Sequence, residues 1–165
     1  MILRAHSFVV DVPRGWDARI FRRAESEVTS PSASTDVAGL VPQSGVTTPI
    51  LHLGSFPLPN GRGDYGSGAV GLMRPSDVFI ALVQFGPESM GTPLFQRRGM
   101  PTFRSADLSE AAMQRPIVGM GGAQRFFNVS GRPFCCYAVV GSLVRRSSLV
   151  ASLNGALGRI TVLSA

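Results

Sequence analysis

The residues best equipped for chemistry stand in one glycine-rich run, Asn60-Gly61-Arg62-Gly63-Asp64-Tyr65-Gly66-Ser67-Gly68, where a guanidinium, a carboxylate and a phenol fall within four positions. Such glycines can bring backbone N–H groups close to a phosphate. This run, however, lacks the Gly-Lys-Ser/Thr ending of a P-loop and does not match Gly-x-Gly-x-x-Gly. Arg62-Gly63-Asp64 would be an adhesion tripeptide on a secreted protein, and the flanking glycines read more simply as a turn. Arginine and tyrosine are favoured at binding hot spots, so Arg62, Asp64 and Tyr65 form a candidate protein-binding knob. Arg97-Arg98, with Arg104 close behind, is a second candidate: an exposed basic pair suits an acidic partner, because the arginine fork bonds carboxylates bidentately. Arg145-Arg146 is a similar cluster.

His6 and His52 are the only histidines. Both fall on strand patterns, and if the opening strand lies beside the strand that contains Ile50, the two imidazoles face each other. Two histidines make an incomplete zinc site, so no metal is expected. Cys135 and Cys136 are adjacent. Neighbours in a strand point to opposite faces, which rules out an ordinary disulfide and leaves two buried free thiols, fitting a reducing compartment. Ser67 and Ser142 have glycine neighbours, but neither sits in Gly-x-Ser-x-Gly with a base and an orienting acid. No catalytic set and no cofactor motif emerges.

The elements that must position these groups belong to one domain, residues 1–165, whose 44% hydrophobic content is enough to close a core. Charged residues make up only 16%, below the roughly 25% of typical domains, and the net charge of +6 comes from arginine alone, with no lysine anywhere. GC-rich coding produces that bias, so the charge is weak support for nucleic-acid binding. The aromatics do not interleave with the arginines as a single-strand platform requires, and Gln124-Arg125-Phe126-Phe127 lacks the glycines of an RNA-recognition motif. Nucleic acid is not an expected partner. The longest apolar stretches are strand-length, well short of the roughly 20 residues that span a bilayer. The first residues show no apolar signal region. A cytoplasmic protein without membrane insertion is expected.

Phe8, Val10 and Val12 alternate with Val9 and Asp11, the period of a strand with one apolar face, before a Pro13-Arg14-Gly15-Trp16 corner. Residues 18–23 predict a second strand, paired with the first through that corner and placed at an edge by its arginines. Residues 24–49 are rich in Ser, Thr, Pro and Gly and read as a mobile insertion or loop. Strand character returns at 50–56, and residues 78–85 are apolar on both faces, as in a covered central strand. Thr92-Pro93 predicts a short helix, and Asp107-Leu108-Ser109-Glu110 has the layout of a capping box opening a helical turn that Pro116 stops. Residues 123–129 and 133–141 predict a hairpin around Ser130-Gly131-Arg132, its second strand again apolar on both faces. Leu149, Val150, Leu153, Ala156, Leu157 and Ile160 form the stripe of an amphipathic helix, capped by Ser147 or Ser148 and lying across the sheet.

This order of elements resembles the Mog1/PsbP-like α/β sandwich, through the Pro-x-Gly-Trp opening at 8–16, the hairpin at 124–140 and the closing helix at 149–160. Arg132-Pro133-Phe134 and Gly86-Pro87-Glu88-Ser89 are similar to runs in uncharacterised actinobacterial proteins. The likeness covers most of the chain outside 24–49. It implies an α+β fold in which an antiparallel sheet packs against helices. Members of that architecture serve as small-GTPase cofactors, photosystem-associated subunits or lipid-anchored proteins, so the fold alone dictates no activity. The expected function is a non-catalytic protein-interaction module, or accessory subunit of a bacterial complex, docking through Arg62, Asp64, Tyr65, Arg97 and Arg98. The alternative is a small-molecule-binding protein or unrecognised enzyme with a pocket between sheet and helix. A sheet face left uncovered by the single helix would be buried in a homo-oligomer.

Overall fold

A computed structural model describes residues 1–23 and 47–164. The expected insertion at 24–49 therefore lies outside the described residues except for its last three, where Pro49 already begins a strand.

The alternating opening folds as expected. Strand β2 (Phe8–Asp11) buries Phe8 and Val10 and exposes Asp11. It pairs antiparallel with β1 (Ile2–Ala5) on one side and with β8 (Ile160–Val162) on the other, giving a three-stranded sheet of order β1-β2-β8. The chain then turns at Gly15, whose φ of 81° suits the absence of a side chain. The Trp16 amide donates to the Pro13 carbonyl at 3.0 Å, and its half-buried indole packs on the core.

A second sheet contains β3 (Asp17–Arg22), β4 (Pro49–Gly54), β5 (Val78–Gln84), β6 (Gly121–Val129) and β7 (Arg132–Val140), all antiparallel in the order β3-β4-β5-β7-β6. Strand β3 is at an edge, as its arginines suggested. Its partner is not the opening strand but β4, with Ile20 opposite Leu51. The Pro13–Trp16 corner carries the chain from one sheet to the other instead of folding a hairpin. Strands β5 and β7, apolar on both faces in sequence, are central and almost wholly buried. The β6–β7 hairpin turns on Ser130 (φ 54°) and Gly131 (φ 73°), two positive values that match strand twist. Arg132, expected in the turn, pairs with Val129 as the first residue of β7.

Helix α1 (Arg146–Leu157) lies across the first face of the large sheet. Its Leu149, Leu153, Ala156 and Leu157 join Leu51, Leu53, Ile80, Leu82, Cys136 and Ala138 from the sheet and Phe8, Val10, Ile160 and Val162 from the small one. Burial of each large apolar side chain there contributes roughly 1.5–3 kcal/mol. Ile160, read as the end of the helical stripe, instead opens β8. It sits at a spacing that satisfies both patterns, and the β2 edge provides a ladder that the helix does not. Neither Ser147 nor Ser148 caps α1. The N-cap is Arg145, without a side-chain bond, and Ser148 Oγ donates back to the Arg145 carbonyl at 3.1 Å.

The opposite, second face carries Phe79, Ala81, Tyr137 and Val139, packed on Phe56, Leu58, Ala69, Val70, Met113 and Met120. Its cover is irregular chain from 55–77 and 109–120. The helix expected at Thr92-Pro93 is a single 3-10 turn, Pro93–Phe95. The helical turn expected to open at Asp107 does not form. Asp107 instead closes a 3-10 turn, Ser105–Asp107, accepting from the Arg104 amide at 2.8 Å. Ser109 then bridges to Gly122, and that pairing pulls the chain out of helical geometry. The result is an antiparallel α+β fold. No helix among the described residues is long and apolar enough to cross a membrane.

Candidate functional site

The 55–77 segment is fastened at its base before it crosses the second face. Ser55 Oγ accepts from the Val78 amide at 2.9 Å and donates to Asp77 Oδ1 at 3.2 Å, while Asp77 Oδ2 accepts from the Arg74 amide at 2.8 Å. Gly66 sits where only glycine fits. Its φ is 85°, and a Cβ there would meet the Phe79 ring at 2.3 Å.

His52 anchors the tip. Fully buried on β4, its ring stands edge-on between Phe21 and Phe79, with centroids 5.0 and 5.1 Å away. Arg62 Nε donates to His52 Nδ1 at 3.0 Å. The imidazole proton is therefore on Nε2, which donates to the Asp64 carbonyl at 2.7 Å. Burial lowers the His52 pKa to about 4; the bond to Asp64 opposes that shift and the Arg62 charge adds to it. Both ring nitrogens are occupied and the ring stays neutral, so His52 is a structural tie and not a general base.

The three residues predicted in the loop come together, but they face inward. The Arg62 guanidinium also donates to the Pro59 carbonyl and lies 5.5 Å over the Phe21 ring. Burial, aided by the Arg19 charge, lowers its pKa. The Asp64 carboxylate pairs with Arg23. Tyr65 stacks edge-on against Tyr137 at 6.0 Å, bonds Cys135 and has its pKa raised, chiefly by burial. Arg97 and Arg98 lie elsewhere. The Asn128 amide donates to the Arg97 carbonyl at 2.7 Å and the Gly99 amide to Asn128 at 2.8 Å, which places that pair outside β6. Strands β3 and β6 are the two edges of the sheet, separated by four inter-strand spacings, roughly 19 Å. The two predicted sets do not share a surface patch.

Beside the loop opens a cleft of about 610 Å³, lined by Tyr65, Tyr137, Val70, Ile117, Gln114 and Arg115, with Ser67 and Gly68 along one wall. The Gln114 amide donates to the Tyr137 hydroxyl at 2.8 Å, fixing one wall to the other. Leu72 and Val118, next in sequence to lining residues, are 63% and 89% exposed. The cleft opens on the face opposite α1. Sequence reasoning missed Gln114, Arg115 and Ile117, because the 109–120 segment has no apolar period. Its one signal was an isolated arginine beside Pro116.

The remaining chemistry-bearing groups are separated. His6 is in the β1–β2 turn of the small sheet and exposed, so the expected facing of His6 and His52 does not occur. Cys135 and Cys136 are buried free thiols on opposite faces of β7. Gln124 Nε2 donates to Cys135 Sγ at 3.2 Å, and burial pushes that thiol up to about 11 and holds the Cys136 thiol well above its ordinary value. Neither is poised as a nucleophile. Among the described residues no three His, Cys, Asp or Glu side chains gather as metal ligands would. Comparison with protein-family models, with curated proteins and with solved structures finds no match, so a function has to be argued from the geometry of the clefts themselves.

Proposed function

We propose that the chain is a non-catalytic protein-interaction module that receives a partner at the second-face cleft. The observation that carries this reading is the pairing of Tyr65 and Tyr137, rigid and amphipathic, with an exposed Arg115 at the same opening. Tyrosine and arginine supply contact area and charge at little entropic cost, as interface hot spots require. Leu72 and Val118 extend the apolar rim. The chemistry suits a partner segment that inserts an apolar side chain against the tyrosines and sets a carboxylate against Arg115. Sixteen arginines against ten acidic residues give the chain a net charge of +6, which favours an acidic partner.

Capture of the tagged protein from its native cells, followed by quantitative mass spectrometry, tests this. A stoichiometric companion recovered with the wild type and with Arg14→Glu, but about tenfold less with Arg115→Glu or Val118→Asp, is the expected result. Equal recovery by all four proteins overturns the proposed surface.

A further inference from the structure

A second cleft, of about 590 Å³, lies where the ends of the two sheets meet. It is built from the β1–β2 turn (His6, Ser7), the end of β3 (Arg22), Thr48 just before β4, the end of β5 (Gln84) and the start of β7 (Arg132). The described residues contain five buried polar or charged side chains, and three of them, Ser7, Thr48 and Gln84, converge here. Ser7 Oγ donates to Gln84 Oε1 at 3.1 Å, which turns the amide so that its nitrogen is the group left over. That nitrogen and the Thr48 hydroxyl have no hydrogen-bond partner among the described residues, and each residue is only 8% exposed. Neither atom is sealed from solvent, so both meet the cleft as unused hydrogen-bonding groups that a ligand can reach.

The formal charges that the described residues place around these groups have one sign. Arg22 stands exposed at the cleft beside His6, Arg132 is half-buried with its Nε donating to the Leu163 carbonyl at 3.1 Å, and no acidic side chain is among the described lining residues. Fixed amide and hydroxyl donors flanked by two guanidinium groups match an oxyanion, because arginine bonds carboxylate and phosphate oxygens bidentately. The volume admits a metabolite-sized molecule. We propose that this strand-end cleft is a binding site for a small oxyanion-bearing ligand, a carboxylate or a phosphate monoester, held by Arg22 and Arg132 and oriented by Thr48 and Gln84. It is independent of the second-face cleft, which lies against different residues of the sheet.

The test is a titration of the full chain with inorganic phosphate and, separately, with succinate, at ionic strength held constant with sodium chloride and followed by 15N–1H correlation spectra. Saturable shifts confined to Ser7, Thr48, Gly131 and the Gln84 side-chain amide are expected with at least one probe, and which probe saturates tells phosphate from carboxylate. Arg22→Gln and Thr48→Val should each weaken that binding about tenfold, while Arg97→Gln, on the far edge of the sheet, leaves it unchanged. Shifts that fail to saturate, or that weaken equally in Arg97→Gln, overturn the proposal. Neither Arg22 nor Thr48 makes a side-chain bond within the described residues, so their replacement tests the site without dismantling the fold.

Discussion

Acid should weaken this fold through His52, the buried imidazole on β4 that ties down the second-face loop. In the unfolded chain the imidazole titrates near 6.5, whereas in the folded protein burial holds it neutral down to about 4. Between those values the unfolded state binds a proton that the native state refuses, so stability falls as pH falls. The group's contribution is complete above about pH 6.5, is lost progressively down to about pH 4 and changes no further below. The gap corresponds to about 3 kcal/mol, with a slope approaching 1.4 kcal/mol per pH unit near pH 5. Urea denaturation at a series of pH values from 7.5 to 4 measures it. His52→Gln, which keeps an acceptor for Arg62 but cannot titrate, should be less stable at pH 7.5 and should lack that slope. The carboxylates titrate in both proteins and cancel in the difference. An identical pH slope in the variant, or a His52 ring that titrates near 6.5 by NMR in the folded protein, refutes the reasoning.

Other outcomes follow from the same packing. With its thiol raised from 9.0 to about 11, Cys135 has a thiolate fraction about a hundredfold below that of an unperturbed thiol. Iodoacetamide at pH 8 should therefore spare both cysteines in the native protein and modify both in urea; rapid native alkylation would show that β7 is open. Gly66→Ala should cost about 2–4 kcal/mol, since it adds positive-φ strain to a collision with Phe79, while Gly61→Ala, with nothing within 4 Å of its Cβ, should change little; thermal melts of equal midpoint would contradict the placement of the loop. Leu153→Ala removes a fully buried side chain from beneath α1 and should cost about 2–5 kcal/mol by denaturant midpoint.

Local pattern was legible wherever a strand buries one or both faces against its own sheet. Phe8 and Val10, the apolar run of β5 and the Ser130-Gly131 turn each declare themselves through near neighbours in sequence. Pairing across long separations did not. Nothing local to Ala18 or Ile20 distinguishes Leu51 from Val10 as a partner, so sequence pattern alone points β3 to the opening strand. Ile160 fits a helical stripe and a strand equally well, and only the free edge of β2, more than a hundred residues earlier, decides between them. Arg62, Asp64 and Tyr65 were legible as a set because glycines bracket them. Their inward orientation was not, since it depends on His52 and Arg23 reaching the loop from β4 and the end of β3. Ser7, Thr48 and Gln84 carry no shared signal at all: they meet only because three strands end at the same level.

The unlike covers of the large sheet set a hierarchy of opening. On the first face, helix and strand bonds are continuous, and exposing that core means unfolding the molecule. On the second, residues 60–68 are held by the His52, Arg62 and Asp64 ties and by short turns, without any ladder to the sheet. Amides of that loop should thus exchange with solvent through a local excursion while those of β5 and β7 wait for global unfolding. Tyr65, Ser67 and Gly68 travel with the loop, so each excursion also dismantles one wall of the second-face cleft. Whatever occupies that wall suppresses the excursion in proportion to its affinity, and the exchange rate of a handful of amides becomes a gauge of occupancy that needs no knowledge of the occupant.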